Sequence, residues 1–560
     1  MPPITEKSTS LGIVLAMACL IGLAWWWPNR PQAGNVSMPE AKFESLSFAP
    51  YRPGQSPLTN TFPTAAEVDQ DLAQVATESR GIRSYSAIEG NYNLPLLARR
   101  HHLKLWLGIW LSADRAANAR EMAAGIAAAR AYPDVVDRVV VGNEVLLRHD
   151  LPVGELIADI DAVKRAVPEP VTTADVWEDY LRYPQLVAHL DIITVHILPY
   201  WEDHPSDLAG SMRHVQAVLT EIARLFPGRR LAIGETGWPS RGRWRRDAAP
   251  SLVNEAIYLR RFIDLADRLH VDYNFIEAFD QDWKYHNEGV VGANWGIWTD
   301  TRHLKFPLNG RLRENPDWSA DLTLSLVAGL LLAALAARRG LTPLRAGMAM
   351  ALGGALGFAW AGTVPVMYDG FAAVAGIGNL LGQAALAVLV VLGCGGRPRD
   401  GAMATGSFRA LGRLHWPRAW RGEAGIDALA EDLGFLFLWT AAVLQVLLAY
   451  DPRYRDFPLP TFAVPLTVAA FRLVFTPRFA PHFAPHLGAS LGTPRFGPLG
   501  RADRLVMAVL LGGAVVSALQ EGPRNLQSLI WNAAAAALVA ERWINRFGQD
   551  PGREAGAPID

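Results

Sequence analysis

The sequence predicts an α/β chain: a (β/α)8 TIM barrel catalytic domain, followed by an all-α, multi-span transmembrane domain. Three observations predict it. Up to about Trp318, eight apolar or β-branched runs alternate with helix-like stretches. The polar and aromatic residues of that half gather at the ends of the runs. From Leu322 onward, long Ala/Leu/Val/Gly runs dominate. Alternating strand and helix implies parallel strands joined by crossover helices. Eight such units in about 275 residues fit a barrel, which typically takes ~250. An open doubly wound sheet is the alternative, but no Gly-x-Gly-x-x-Gly follows the first strand.

In chain order, residues 1–35 form an N-terminal transmembrane anchor and linker. The apolar run Leu11–Trp27 is followed by Pro28-Asn29-Arg30-Pro31, with no clean small-x-small cleavage site. Residues 36–318 form the barrel. Its strands are Ser45–Pro50, Gly81–Ser86, Leu103–Leu111, Val139–Glu144, Val171–Val176, Ile192–Ile197, Leu231–Glu235 and Tyr273–Phe279. Ala65–Ser79, Arg115–Ala131, Gly154–Val167, Asp207–Leu225 and Ser251–Leu269 are the amphipathic helices between them.

Residues 319–560 form the membrane domain. Seven spans are expected, near 321–337, 344–364, 371–395, 433–450, 457–475, 504–519 and 525–541, several at the short limit for a helix of about 20 residues. With the anchor this makes eight. Arginines cluster in alternate loops: Arg338, Arg339 and Arg345; Arg397, Arg399, Arg409, Arg413, Arg418 and Arg421; Arg472, Arg478, Arg495, Arg501 and Arg504; Arg542 and Arg546. The positive-inside rule then sets both termini in the cytoplasm and the barrel outside, in a periplasm-like space. Gln383 and Gln445 are the notable polar residues of the spans. With little charge expected there, anchoring or packing is the plain expectation for this half.

Composition excludes some classes. The chain has 560 residues, is 19% charged and has a net charge of −1, which gives no support for nucleic-acid binding. Its two cysteines, Cys19 and Cys394, lie in apolar runs, so the barrel has no disulfide.

Chemistry points to the strand ends, where a barrel keeps its active site. Glu144 closes Val139-Val140-Val141-Gly142-Asn143-Glu144, and Glu235 closes Leu231-Ala232-Ile233-Gly234-Glu235. Two facing carboxyls suit glycosidic cleavage, one donating a proton and the other attacking the sugar carbon. Arg83, Tyr85, Trp177, His196, Tyr200, Trp201, Glu277, Asp280, Trp283 and Lys284 stand at the same rim. A lone strand-end glutamate is more often an ion-paired group, and strand tryptophans more often core. Carboxylates and flat aromatics on six strands together suit sugar rings, whose faces stack and whose hydroxyls hydrogen-bond.

The stretch Leu-Ala-Ile-Gly-Glu-Thr-Gly-Trp-Pro-Ser-Arg-Gly from Leu231 to Gly242 resembles the nucleophile signature of glycoside hydrolase family 17, the β-1,3-glucanase family. Asn143-Glu144 is similar to its acid/base pair. The likeness continues through Gly81-Ile82-Arg83-Ser84-Tyr85, His196-Ile197-Leu198-Pro199-Tyr200, Glu277 to Lys284 and Trp295-Gly296-Ile297-Trp298. It covers nearly all of residues 45–310. Leu198 and Gln281 stand where plant members usually carry tyrosine and glutamate. The eighth-strand segment looks more like the fungal and bacterial branch, which includes glucan-transferring enzymes. Bacterial members with attached spans resemble proteins of β-(1,3),(1,6)-glucan synthesis, including cyclic glucans.

The resemblance implies a retaining double displacement, with Glu235 as nucleophile and Glu144 as acid/base, their carboxyls about 5–5.5 Å apart. It implies that Asn143 binds the sugar 2-hydroxyl, Tyr200 orients Glu235, and Glu277 and Lys284 form a supporting pair. Arg83 and Tyr85 join the substrate-binding set, with Trp177, Trp201 and Trp283 as sugar platforms. The expected function is a membrane-bound β-glucan transglycosylase acting on β-1,3-glucan and forming β-1,6 links. A β-1,3-glucanase is the alternative, and a non-catalytic glucan-binding membrane protein the alternative of another class. No cofactor and no metal are expected. The expected partners are a β-glucan, the lipid bilayer of a bacterial inner membrane and, as a candidate, a glucan synthase there.

Two rival signals are weak. Asp280-Gln281-Asp282 and Asp159-Ile160-Asp161 are strings that nucleotide-sugar glycosyltransferases use for metal, but no Gln-x-x-Arg-Trp accompanies them. His482 and His486 have i,i+4 spacing, but Pro481 and Pro485 spoil a helical pair.

Overall fold

A computed structural model describes residues 4–34, 42–393, 423–475 and 499–546. Two compact units emerge: Pro31–Glu314, and Met1–Arg30 with Asn315–Asp560. The first therefore takes in residues 31–34, which the sequence grouped with the anchor. There, Gln32–Ala33 pairs antiparallel with Arg311–Leu312, bringing the two ends of the unit together.

Eight parallel strands close into a barrel in chain order: β1 (Leu46–Ser47), β2 (Gly81–Arg83), β3 (Lys104–Ile109), β4 (Val136–Asn143), β5 (Val171–Val176), β6 (Ile192–His196), β7 (Arg230–Thr236) and β8 (Asp272–Phe275). β1 pairs with β8 through Leu46 and Phe275, which closes the ring. These strands read as continuous apolar runs because they are covered on both faces. Trp106, Val140, Ala174, Ile192 and Ala232 form a separate inner cluster contributed by β3 to β7. Helices start where the sequence offers side-chain caps. Thr64 forms a capping box with Glu67, and Asp114, Asp207 and Ser251 accept from the first free N–H groups. At the N-terminal mouth, Arg138 packs 4.0 Å over Trp106 and pairs with Asp272 at 2.9 Å, while Glu44 accepts from the Tyr273 N–H.

The second unit is helical. Among the described residues, six of its helices are long and apolar enough to cross a membrane: Ser8–Trp26, Trp318–Ala337, Pro343–Val366, Gly370–Gly393, Leu429–Tyr450 and Arg501–Glu521. This departs from the eight spans expected. The span near 457–475 is a 13-residue helix, Ala463–Phe475, entered through a 3-10 turn at Pro460–Phe462. The last helix, Leu526–Arg546, has length but ends in the charged stretch Glu541-Arg542. Gln383 repairs the first break: its carbonyl accepts from Val464 N–H and its amide donates to the Pro460 carbonyl. Gln445 accepts from the Trp531 indole at 2.6 Å.

Charged residues at and just beyond the ends of the expected spans pair across helices. Arg472 pairs with Glu431 and Glu541, and Arg542 with Asp503 at 2.9 Å and Glu431 at 3.6 Å. Single charges on separate helices look isolated in sequence; packing joins them. The arginine clusters at 397–421, Arg478 and Arg495, and the His482/His486 pair, lie outside the described residues.

Candidate active site

The C-terminal ends of the strands converge on a cluster of charge. At the end of β4 Gly142 (φ 83°), and one residue past the strand Glu144 (φ 52°), take a positive φ. Glycine takes this conformation freely; glutamate does so at a cost, a strain that collects at functional sites. Its anchors are the Glu144 N–H on the Ala174 carbonyl at 2.8 Å and the Arg148 guanidinium on the Asn143 and Leu111 carbonyls. Glu144 stays partly open, whereas Glu235, near the end of β7, is buried. A carboxylate oxygen of each and an imidazole nitrogen of His196 all lie within 4.8 Å of one another.

Arg83, at the end of β2, spans the mouth. Its Nη1 donates to Glu235 Oε1 at 2.8 Å and to the Gly234 carbonyl at 2.9 Å, and its Nη2 donates to Asn143 Oδ1. His196, at the end of β6, places Nδ1 3.2 Å from Glu144 and Nε2 3.8 Å from Glu235. Burial pushes the Glu235 carboxyl up, but the His196 and Arg83 charges, the Tyr85 hydroxyl and Lys284 outweigh it. The carboxyl sits below its ordinary range, so it is ionised at neutral pH. Glu144, His196 and Glu235 have a spacing that a cation could use. Arg83 already sets a fixed positive charge 2.8 Å from Glu235, where a cation would otherwise balance the carboxylate.

Next to it, Glu277 follows β8 and is fully buried, with Lys284 Nζ at 2.8 Å. Burial raises its carboxyl to about 7 against the pull of Lys284. Tyr85 donates to Ser47 Oγ at 3.0 Å.

Tyr200 requires a correction. It is fully buried, and its hydroxyl donates to the Arg243 carbonyl at 2.6 Å. The position expected of it beside Glu235 is held by Arg83, His196 and Tyr85, because Tyr200 lies past the end of β6 and turns into the aromatic core with Trp201, Trp238 and Trp295. The three expected platforms are half-buried, each held by its own partner. Trp177 Nε1 donates to Glu202 at 3.3 Å, Trp201 stacks on Trp295, and Trp283 Nε1 donates to Gln281 at 2.8 Å.

The Asp-x-Asp strings have other partners. Asp280 accepts from Lys305 and the Gly296 N–H, and Asp161 pairs with His189. His196 was legible as a polar residue after the sixth strand and as the first residue of the family-like run His196–Tyr200. Nothing in the sequence marks it as lying between two glutamates, at positions 52 and 39 residues away on either side.

Residues 45–296 match the sequence profile of the BtgE/BtgC glycoside hydrolase domain. A glucan 1,3-beta-glucosidase of Candida albicans is 27% identical over 262 residues, which is 43% of this chain and 85% of the relative. One of Schizosaccharomyces pombe is 28% identical over 260 residues, 43% of this chain and 79% of that protein. Among solved structures, a β-1,3-glucanosyltransferase of Rhizomucor miehei aligns with a TM-score of 0.42 at 24% identity, over 48% of this chain and 98% of its own.

Proposed function

We propose that this chain, whose barrel belongs with the BtgE/BtgC glycoside hydrolase domains, is a membrane-bound retaining β-glucan transglycosylase acting on β-1,3-glucan. The observation that carries the proposal is that Glu144 and Glu235 face each other across the barrel mouth, one carboxylate oxygen of each lying within 4.8 Å of the other, which leaves no room for a water between those two oxygens. Inverting enzymes hold their carboxyls about 6.5–9.5 Å apart to admit a water, and retaining ones about 5–5.5 Å. The names of the fungal relatives support β-1,3-glucan as the substrate.

In the first half, a Glu235 oxygen bonds to the anomeric carbon as the glycosidic C–O bond breaks. Glu144 passes its proton to the departing oxygen. In the second half, an acceptor hydroxyl gives its proton to Glu144 and attacks, and Glu235 leaves as carboxylate. Asn143 Oδ1 is engaged by Arg83, which turns its amide N–H2 toward a sugar hydroxyl, in our reading the 2-hydroxyl. Glu277 with Lys284, and Trp177, Trp201 and Trp283, extend the binding surface.

The acceptor decides between hydrolysis and transfer. We favour a glucan 6-hydroxyl, giving β-1,6 links in periplasmic or cyclic glucan synthesis, because six helices long and apolar enough to cross a membrane are more than a degradative enzyme needs. The same reading places the barrel on the periplasmic side of a bacterial inner membrane, beside a glucan synthase. The test is to incubate the detergent-solubilised chain with β-1,3-gluco-oligosaccharides and to determine product mass and linkage, with Glu235→Gln as control. Products longer than the donor with β-1,6 links are expected. Only shorter products would make it a glucanase, and a fully active Glu235→Gln would remove the site.

A further inference from the structure

One carboxyl of the barrel mouth takes no part in the steps above. Glu89 stands in the loop after β2, and that loop is built to place it. Glu121, on the helix Arg115–Ala131, accepts from the Ser86 hydroxyl, from the Ala87 N–H at 2.8 Å and from the Trp110 N–H at 3.3 Å, so both its oxygens are taken. Gly90 then turns the chain at φ 63°, where a Cβ would come 2.7 Å from the Tyr92 ring and 3.2 Å from Phe62. The loop brings Glu89 to Tyr51, a buried residue after β1, whose hydroxyl donates to Glu89 Oε1. The Tyr51 ring meets Trp283, after β8, with centroids 6.1 Å apart. Glu89 is half-buried, and its Oε2 accepts no hydrogen bond among the described residues. Among them no cation pairs with it either. Burial lifts its carboxyl to about 7, the Tyr51 hydroxyl pulls the other way, and the Glu121 charge adds to the rise. Beside it the Tyr92 hydroxyl is enclosed without a partner among the described residues.

Position in the ring says which part of a glucan this group would meet. β8, β1 and β2 stand opposite β4, β5 and β6 in the closed barrel. Glu144, just past β4, serves the leaving oxygen, so the leaving part of the chain lies on that side. The part that stays bonded to Glu235 extends the other way, towards Trp283, Tyr51 and Glu89. A carboxyl with one oxygen fixed and the other open, set among Tyr51, Tyr92 and Trp283, suits a neutral polyol. A sugar hydroxyl can donate to the carboxylate or accept from the acid, so it serves either charge state. A poorly hydrated group also gains more from such a partner than one in open water. We propose that Glu89, oriented by Tyr51, forms a donor subsite: it binds a hydroxyl of a glucose unit beyond the reactive one, on the part of the chain that stays on Glu235. The inference rests on the assignment of Glu144 and Glu235 given above, which sets the direction of the chain. It makes Glu89 a determinant of donor length and leaves the chemical step to the two glutamates.

The test uses the full chain in detergent carrying Glu235→Gln, so that bound donors are not consumed. Calorimetry measures its affinity for β-1,3-gluco-oligosaccharides of increasing length. Affinity should rise in steps as successive units find their places. Adding Glu89→Ala should erase one step: chains long enough to reach it should bind roughly tenfold more weakly, the scale of one lost hydrogen bond, and shorter ones within about twofold of the parent. Glu89→Gln, whose amide oxygen accepts from Tyr51 and whose N–H2 reaches a hydroxyl, should restore most of it. If the alanine variant does not fold, Tyr51→Phe keeps the ring, frees the carboxyl and should weaken the same step about threefold. A uniform loss at every length, or no loss at any, would overturn the inference. With Glu235 restored, Glu89→Ala should lower kcat/KM on the longer chains by the same factor and shift the bond cleaved, read from the length of the transferred fragment; an unshifted bond would overturn the donor-side placement. Turnover without the length step sinks the Glu89 inference alone. The length step without turnover sinks the assignment of the two glutamates, while the glucan contact at Glu89 stands.

Discussion

Replacing Arg83 by methionine tests how the barrel holds its buried carboxylate. The Arg83 side chain is 1% exposed and that of Glu235 6%, so water screens neither. Removing one partner of such a pair leaves an uncompensated buried charge and costs about 3–5 kcal/mol. Lys284 and His196 remain near Glu235, which puts the expectation at about 3 kcal/mol, the lower end. Adding Glu235→Gln removes the stranded charge, and the double variant should recover about 1–3 kcal/mol of coupling. The pH dependence has a definite sign. A depressed carboxyl contributes stability that is present above its unfolded value of about 4 and is lost as pH falls through the lower folded value. In Arg83→Met the carboxyl rises, so the loss should begin at higher pH, and the acid limb of the kcat/KM profile should rise with it. Thermal unfolding of the full chain across pH, beside that profile, measures both. A variant within about 1 kcal/mol of wild type with an unmoved acid limb would refute the argument, since a buried pair broken on one side should cost far more.

Other predictions are independent of that one. Burial and the neighbouring Asp272 raise Glu44 to about 7, so its contribution is lost as pH rises from the ordinary carboxylate range through 7. Glu44→Gln should therefore stabilise the barrel above pH 7 by about 1 kcal/mol, seen as a flatter dependence of unfolding temperature on pH. Trp283→Ala should raise KM for oligosaccharides about tenfold with kcat nearly unchanged, as loss of a stacking face predicts; a kcat effect alone would remove it from the binding surface. In the membrane half, a Cβ on Gly353 would come 2.2 Å from the Gly329 backbone. Gly353→Ile should separate helices Trp318–Ala337 and Pro343–Thr363 and lower the unfolding temperature of that half, because close helix approach there needs small residues.

Much of the barrel is legible in the sequence because its signals are local. A strand covered on both faces must be apolar throughout, and a helix beside it must be apolar on one stripe, whatever else the chain does. The eight strands thus lie within a few residues of the runs that predict them. β1, β2 and β8 are markedly shorter than their runs, since the residues after them turn into the rim. The membrane half was less legible. Hydropathy averages over a window, so it merged the 3-10 turn at Pro460–Phe462 with the helix after it, and it could not see that Arg472 and Arg542 meet their carboxylates across helices.

The sequence by itself determined that Glu144 and Glu235 stand at strand ends. Chain direction in a parallel barrel sends every strand end to the same rim, so position along the chain suffices. Tertiary structure alone decided what surrounds them. Arg83 reaches Glu235 across 152 residues of chain, and His196 falls between the two glutamates. It also turned Tyr200 inward, to the Arg243 carbonyl. These outcomes depend on strand register and closure, which set distances across the barrel mouth and leave no periodic or local trace in the amino-acid order.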